Sequence, residues 1–151
     1  MSEQNPIRVY VSHCFGEDAD YFRVFEYLES NPRFFYVNCS APDQAPQAGG
    51  KEAIRDELRK QVSAAEVVII LSAMYEANRE WITFQMDVAG AMDLPIIAME
   101  PFGVTAKMPE EVRERAEEVV EWNERFLIDA LRRQARHEDT TRWEVVEFEM
   151  P

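Results

Sequence analysis

Val67-Val68-Ile69-Ile70-Leu71 is the most hydrophobic stretch of this chain, and the fold follows from how it is read. It is a continuous apolar run dominated by β-branched side chains, with no polar face to give to water. Such a run is expected of a central parallel strand covered on both sides. Upstream, Ile7-Arg8-Val9-Tyr10-Val11 is a second β-rich run that stops abruptly at Ser12-His13-Cys14-Phe15-Gly16. Asp18 is placed to cap a helix in which Tyr21, Phe22, Phe25 and Leu28 fall at helical spacing, and Asn31-Pro32 ends it. A strand over Phe34–Asn38 and a Pro/Gly-containing loop over Cys39–Gly50 follow. Ile54, Leu58 and Val62 then mark one face of a second helix.

Downstream, Ser72–Arg79 reads as a loop and Glu80–Met92 as a helix. Pro95 introduces a strand at Ile96–Met99, a position where its missing N–H is tolerated. After Pro101–Pro109 come a charged helix, a short strand over Glu118–Trp122, and a last helix carrying Phe126, Leu127, Ala130 and Leu131. Strictly alternating strands and helices predict an α/β domain of flavodoxin-like, doubly wound type. Right-handed crossovers then give a five-stranded parallel sheet of order 2-1-3-4-5. Residues 1–136 form the predicted domain and 137–151 a C-terminal tail. In that tail Trp143, Val145, Phe148 and Met150 are spaced as an extended segment, either an added edge strand or a loose end.

Composition narrows the function. A chain of 151 residues with 46% hydrophobic and 30% charged side chains fits one cored domain. The net charge of −13 repels phosphate backbones, which argues against nucleic acid as a partner. No run approaches the roughly 20 apolar residues of a bilayer-spanning helix, so no membrane partner is expected. The polar start Met1–Pro6 lacks a signal-peptide pattern, and a cytoplasmic location is expected. Cys14 and Cys39 are read as reduced thiols, and no metal-ligand spacing is present. The seven glutamates of Glu110–Glu124 read as a solvated face.

In a sheet of this order, ligands bind beyond the strand C-termini where the connections diverge, between the first and third strands. Ser12, His13, Phe15, Ser72, Tyr75 and Trp81 all belong to segments that open there, with Cys39–Gly50 as a neighbouring flap. Hydroxyl and aromatic groups in this mix suit a base and a ribose. Trp81, Gln85, Val88 and Met92 are spaced to share one face of the third helix, and Gln85 is the amide among them. Such a group either borders a cavity or is satisfied at the core edge. His13 reads as a hydrogen-bonded structural residue or as a catalytic acid.

The set Arg8-Val9-Tyr10-Val11-Ser12-His13, the loop Ser72-Ala73-Met74-Tyr75, the motif Trp81-Ile82-Thr83-Phe84-Gln85 and the segment Val120-Glu121-Trp122-Asn123 resemble the TIR-like proteins of bacterial Thoeris antiphage systems. The resemblance runs from about Ile7 to Arg136. It implies an enzyme that takes NAD as substrate, with no bound cofactor, and hydrolyses or cyclises it. The implied product is a cyclic or modified ADP-ribose, a nucleotide second messenger that would reach a separate effector in antiviral defence. It implies aromatic packing on the nucleotide by Phe15 and pocket lining by Ser72 and Tyr75. It also implies a possible homo-oligomer contact through Cys39–Gly50.

Catalytic members carry glutamate where this chain has Gln85. Cleavage of the nicotinamide–ribose bond builds positive charge on the ribose, which a carboxylate stabilises and a neutral amide does not. Asp87 lies about 200° around the helix and does not substitute. The resemblance therefore implies a catalytically disabled form, through a designed exchange or a natural loss. Volume and helix propensity alone predict at most a modest stability cost for Gln85→Glu. Two other readings stand beside this one: a non-enzymatic flavodoxin-like interaction domain, and a nucleoside deoxyribosyltransferase-like enzyme.

Overall fold

The structure is a computed structural model, and it describes residues 1–103 and 107–138. Its elements run β1 (Ile7–Val11), α1 (Ala19–Glu29), β2 (Tyr36–Asn38), α2 (Gly50–Ser63), β3 (Val67–Leu71), α3 (Arg79–Ala91), β4 (Ile96–Met99), α4 (Glu110–Arg115), β5 (Glu118–Val120) and α5 (Glu124–Arg136). A single 3-10 turn, Ser72–Met74, follows β3. The five strands form one parallel sheet of order β2-β1-β3-β4-β5, as the alternation predicts. Every residue of β3 is buried, because β1 and β4 flank it and helices cover both faces.

Helix α1 packs with α5, and α2 with α3, so the connections leave β1 and β3 toward different faces. Register places Val11 beside Ile69 and Leu71 beside Met99, which aligns the C-terminal ends of β1, β3 and β4 in one rim. Asp18 caps α1 as expected, its Oδ1 accepting the Asp20 and Tyr21 N–H groups. Gly49 and Gly50 both have positive φ, at 100° and 62°, and they turn the flap into α2.

Two predicted strands are longer than the observed ones. Phe34 and Phe35 precede β2, and Glu121 and Trp122 follow β5. Both are edge strands with one neighbour each, so apolar side chains there pack as loop residues without a ladder. The predicted Trp81–Met92 stripe is buried only in its middle. Gln85 and Val88 are buried with Ile82, Met86 and Ala89, whereas Trp81 is half-buried and Met92 lies past the end of α3, 43% exposed. Large side chains misled the reading, because a tryptophan at a helix start can cover the surface. The tail readings at Trp143–Met150 lie outside the described residues.

No helix among the described residues is long and apolar enough to cross a membrane. No group of His, Cys, Asp and Glu among them is arranged to hold a metal ion.

Candidate functional site

The rim beyond β1 and β3 is built around Gln85. Its side chain is fully buried, and every hydrogen-bonding position of its amide is in use. Oε1 accepts the Tyr10 hydroxyl at 2.5 Å and the His13 N–H at 3.2 Å. Nε2 donates to the His13 carbonyl at 2.8 Å and to the Trp81 carbonyl at 3.0 Å. The amide thus clips both backbone groups of one residue, as a strand partner would, and ties α3 to the end of β1. Buried polar groups are expected to be paired, and this one is paired completely.

His13, whose backbone Gln85 holds, is 1% exposed. Its Nδ1 accepts the Phe15 N–H at 3.2 Å, which leaves the proton on Nε2 for donation to Gln61 Oε1 at 2.7 Å. Burial lowers its pKa; the Gln61 bond and the carboxylates of Glu57 and Asp43 pull the other way without prevailing. The imidazole is therefore neutral near pH 7 and both nitrogens are engaged. Phe15 stands edge-on to it, with ring centroids 4.9 Å apart, and has a φ of 57°. A bulky residue in the left-handed region is uncommon and marks this turn as strained.

Of the seven residues proposed from sequence, His13 and Phe15 line a small niche of about 140 Å³, together with Met74 and Asn78. Gln85 lies beneath it, holding His13. Ser12 and Ser72 are buried fasteners: Ser12 Oγ accepts the Leu71 N–H at 2.9 Å, and the Ser72 hydroxyl donates to the Met99 carbonyl at 2.6 Å. Tyr75 is 4% exposed, with the Arg79 guanidinium 5.4 Å from its ring centre. Trp81 is half-buried beside Arg55 and Phe84 on the α2–α3 surface, apart from the niche.

A larger cleft of about 450 Å³ shares Gly16 and Glu17 with the niche. It runs between α1 and the flap, lined by Tyr21, Phe22, Asn38, Ser40, Pro42 and Asp43. A closed ring of hydrogen bonds forms its back wall. Asn38 Nδ2 donates to the Tyr21 oxygen at 3.0 Å, the Tyr21 and Ser40 hydroxyls bond at 2.8 Å, and Ser40 Oγ donates to Asn38 Oδ1. Sequence reasoning did not single out Gln61 or Asn78, and it read Tyr21 as a helix-face residue and Met74 only as part of the Ser72–Tyr75 motif. Gln61 offered a signal of the same kind as Gln85, an amide one turn from Leu58 on a core-facing helix stripe.

Another cleft of about 450 Å³ lies at the opposite end of the strands, beside Glu66, Pro95, Arg115 and His137. Glu66 there is bound to Arg136 and Arg115 to Asp87, so these charges are already neutralised. The thiols add no reactive group: burial, with Asp18 contributing, pushes Cys14 up to about 11, and burial likewise raises Cys39.

A solved structure of a conserved protein from Enterococcus faecalis V583 superposes with a TM-score of 0.61 at 11% identity, covering 85% of this chain and 99% of that one. That likeness speaks to the fold alone. No curated protein matches the sequence. A family model described as "Thoeris protein ThsB, TIR-like domain" matches residues 10–106, which takes in the niche, the flap, α2 and α3. The Val120–Asn123 segment lies beyond the match, but the Tyr10–His13, Ser72–Tyr75 and Trp81–Gln85 motifs fall inside it. This chain belongs to the Thoeris ThsB TIR-like family of antiphage-defence proteins.

Proposed function

We propose that this chain binds an NAD- or ADP-ribose-type nucleotide across the niche and the adjoining cleft, and that with glutamine at position 85 it does not cleave it. The observation that carries the second part is the state of Gln85. Its four hydrogen bonds are spent on protein groups, and its oxygen has no charge with which to stabilise an oxocarbenium-like ribose. A glutamate in the same rotamer would set a carboxylate oxygen against two carbonyls. The site as built therefore suits an amide.

Size supports use of both compartments, since about 140 Å³ is too small for a dinucleotide while the cleft adds about 450 Å³. A cleaving relative of this chain would send an ADP-ribose-type product to an effector. A non-cleaving one holds or senses the nucleotide. The interaction-domain reading has one observation in its favour, namely that Ser12, Ser72 and Gln85 are all satisfied internally.

Three measurements test the proposal. Saturating NAD should raise the melting temperature, by about 2.7 kcal/mol of stabilisation at a hundredfold excess over Kd. Amide shifts should then cluster at residues 13–17 and 38–43. Mass spectrometry should find NAD intact with the parent chain and cleaved with Gln85→Glu, assayed with and without phage-infected lysate. No thermal shift with NAD or ADP-ribose, or shifts clustered at Glu66 and Pro95, would replace the nucleotide reading with the interaction domain.

A further inference from the structure

Both walls of the crevice hang on one side chain that has no place in the proposed chemistry. Gln61, in the last turn of α2, is 4% exposed and, like Gln85, fully bonded. Its Oε1 accepts the Ala41 N–H at 2.9 Å and the His13 Nε2–H at 2.7 Å. Its Nε2 donates to the Ala41 carbonyl at 3.2 Å and to Glu57 at 2.8 Å. Ala41 lies near the start of the flap, so the amide clips the flap by both backbone groups of one residue. The same oxygen holds His13, whose other nitrogen holds Phe15 in its left-handed turn.

We propose that Gln61 is the positioning residue of the crevice, holding the flap and the β1–α1 turn in register through a single tautomer of His13. The requirement on tautomer follows from valence. Gln61 Oε1 can only accept, so Nε2 must carry a proton; the Phe15 N–H can only donate, so Nδ1 must be bare. A second proton, on Nδ1, leaves the Phe15 N–H without its acceptor and removes the restraint on that turn. As acid is added the Phe15 turn is therefore released from the imidazole, while the Nε2–H bond to Gln61 persists. The charged or titratable groups facing the imidazole are Glu57 from α2, Asp43 from the flap, Tyr10 from β1 and Tyr21 from α1; from α3, the neutral Gln85 holds the His13 backbone.

The positioning itself needs no ligand, while its use in binding rests on the nucleotide reading. Gln61→Met keeps length and removes all four bonds. Hydrogen exchange at residues 41–49 should become on the order of tenfold faster or more, with exchange in β3 unchanged. The ¹⁵N signature of His13 should lose its fixed Nε2–H form. Gln61→Glu keeps the acceptor, loses the donated bonds to the Ala41 carbonyl and Glu57, and adds charge; it should raise the His13 titration midpoint by about one to three pH units. Unchanged exchange in the flap of Gln61→Met, or an unmoved His13 midpoint in Gln61→Glu, overturns the proposal. If Gln61→Met does not fold, the Gln61→Glu titration decides alone. NAD binding separates the two readings: weaker binding by Gln61→Met extends the positioning role to the ligand, and equal binding confines it to the free protein and overturns that extension. An NAD-blind parent with a loosened Gln61→Met flap ends the nucleotide reading and leaves the positioning intact.

Discussion

Gln85→Glu is nearly isosteric, yet the geometry predicts a large and pH-dependent cost. The replaced amide donates to the carbonyls of His13 and Trp81, at 2.8 and 3.0 Å, from a fully buried position. A carboxylate cannot donate to either. The low-energy response is to keep a proton, which preserves one donated bond and the two accepted ones. Holding a proton at pH 7 on a group with an unfolded pKa of about 4.3 costs about 3.7 kcal/mol, at 1.36 kcal/mol per pH unit. The second carbonyl, left without its donor, adds about 1–3 kcal/mol. The sum is about 5–7 kcal/mol at neutral pH, a substantial share of a domain's stability.

The sign of the pH dependence follows from linkage. The variant's folded pKa is raised above its unfolded value, so between the two the native state binds more protons. Relative to the parent, the variant should lose about 1.4 kcal/mol per pH unit from about pH 4.3 upward, and recover to a deficit of about 1–3 kcal/mol near pH 4. Cleavage of NAD should run the opposite way, rising with pH as the carboxylate ionises. Urea denaturation of parent and variant at pH 4, 5, 6 and 7 reads the first effect, and product mass spectrometry reads the second. A constant stability difference across that range would mean that the side chain leaves the site and ionises in water. The four bonds of Gln85 would then not set the cost of the exchange, and the reasoning would be refuted.

Other perturbations read the same network. Tyr10→Phe keeps the buried ring and removes one of two donors to Gln85 Oε1, so it should cost about 0.5–1.5 kcal/mol in denaturant unfolding. His13 has a folded pKa below its unfolded one, so stability should be fully present above about pH 6.5 and decline as pH falls through that value; His13→Asn should flatten this part of the profile. Arg136→Ala removes a two-pronged bond to Glu66 and one to the Pro6 carbonyl, with both side chains largely buried, and should cost about 1.5–3 kcal/mol. Burial alone would raise the Glu66 pKa, but its bonds from Arg136 and the Arg8 N–H bring it below the usual carboxylate range. Its ionic contribution should therefore decline as pH falls below about 4.3 and be lost once pH has passed the folded pKa, so the gap between the parent and Arg136→Ala should narrow to what the Pro6 bond contributes.

The architecture was legible because β3 states it without ambiguity. A five-residue apolar run admits one environment, and strands and helices alternating around it admit one winding. Legibility fell at the edges, where Phe34, Phe35 and Trp122 looked like strand residues but lack a second neighbour to pair with. The rim was legible, and what its residues do there less so. Ser12, Ser72 and Gln85 lie at the rim, yet each spends its polar atoms on the protein. Period and composition report where a polar side chain sits, and its partners come from elements far along the chain. Residues 10, 13 and 85 meet only once the sheet has formed.

That distinction bears on how such a crevice can work. Two glutamines on adjacent helices, Gln61 and Gln85, each grip both backbone groups of one loop residue, and His13 joins the two grips. A loop held this way is positioned by neutral donors and acceptors whose pairing is specific in sense, so an acid in either place reverses part of the pattern. Ionised glutamate at position 85 is compatible with the rim only when something else meets the two carbonyls, or when the side chain turns toward a ligand. A catalytic relative must therefore hold its β1–α1 turn by other bonds, or hold it only once substrate is bound. In this chain the turn is already held. The exchange of one oxygen for an NH₂ group thus trades charge for order, and the order extends through His13 to the flap.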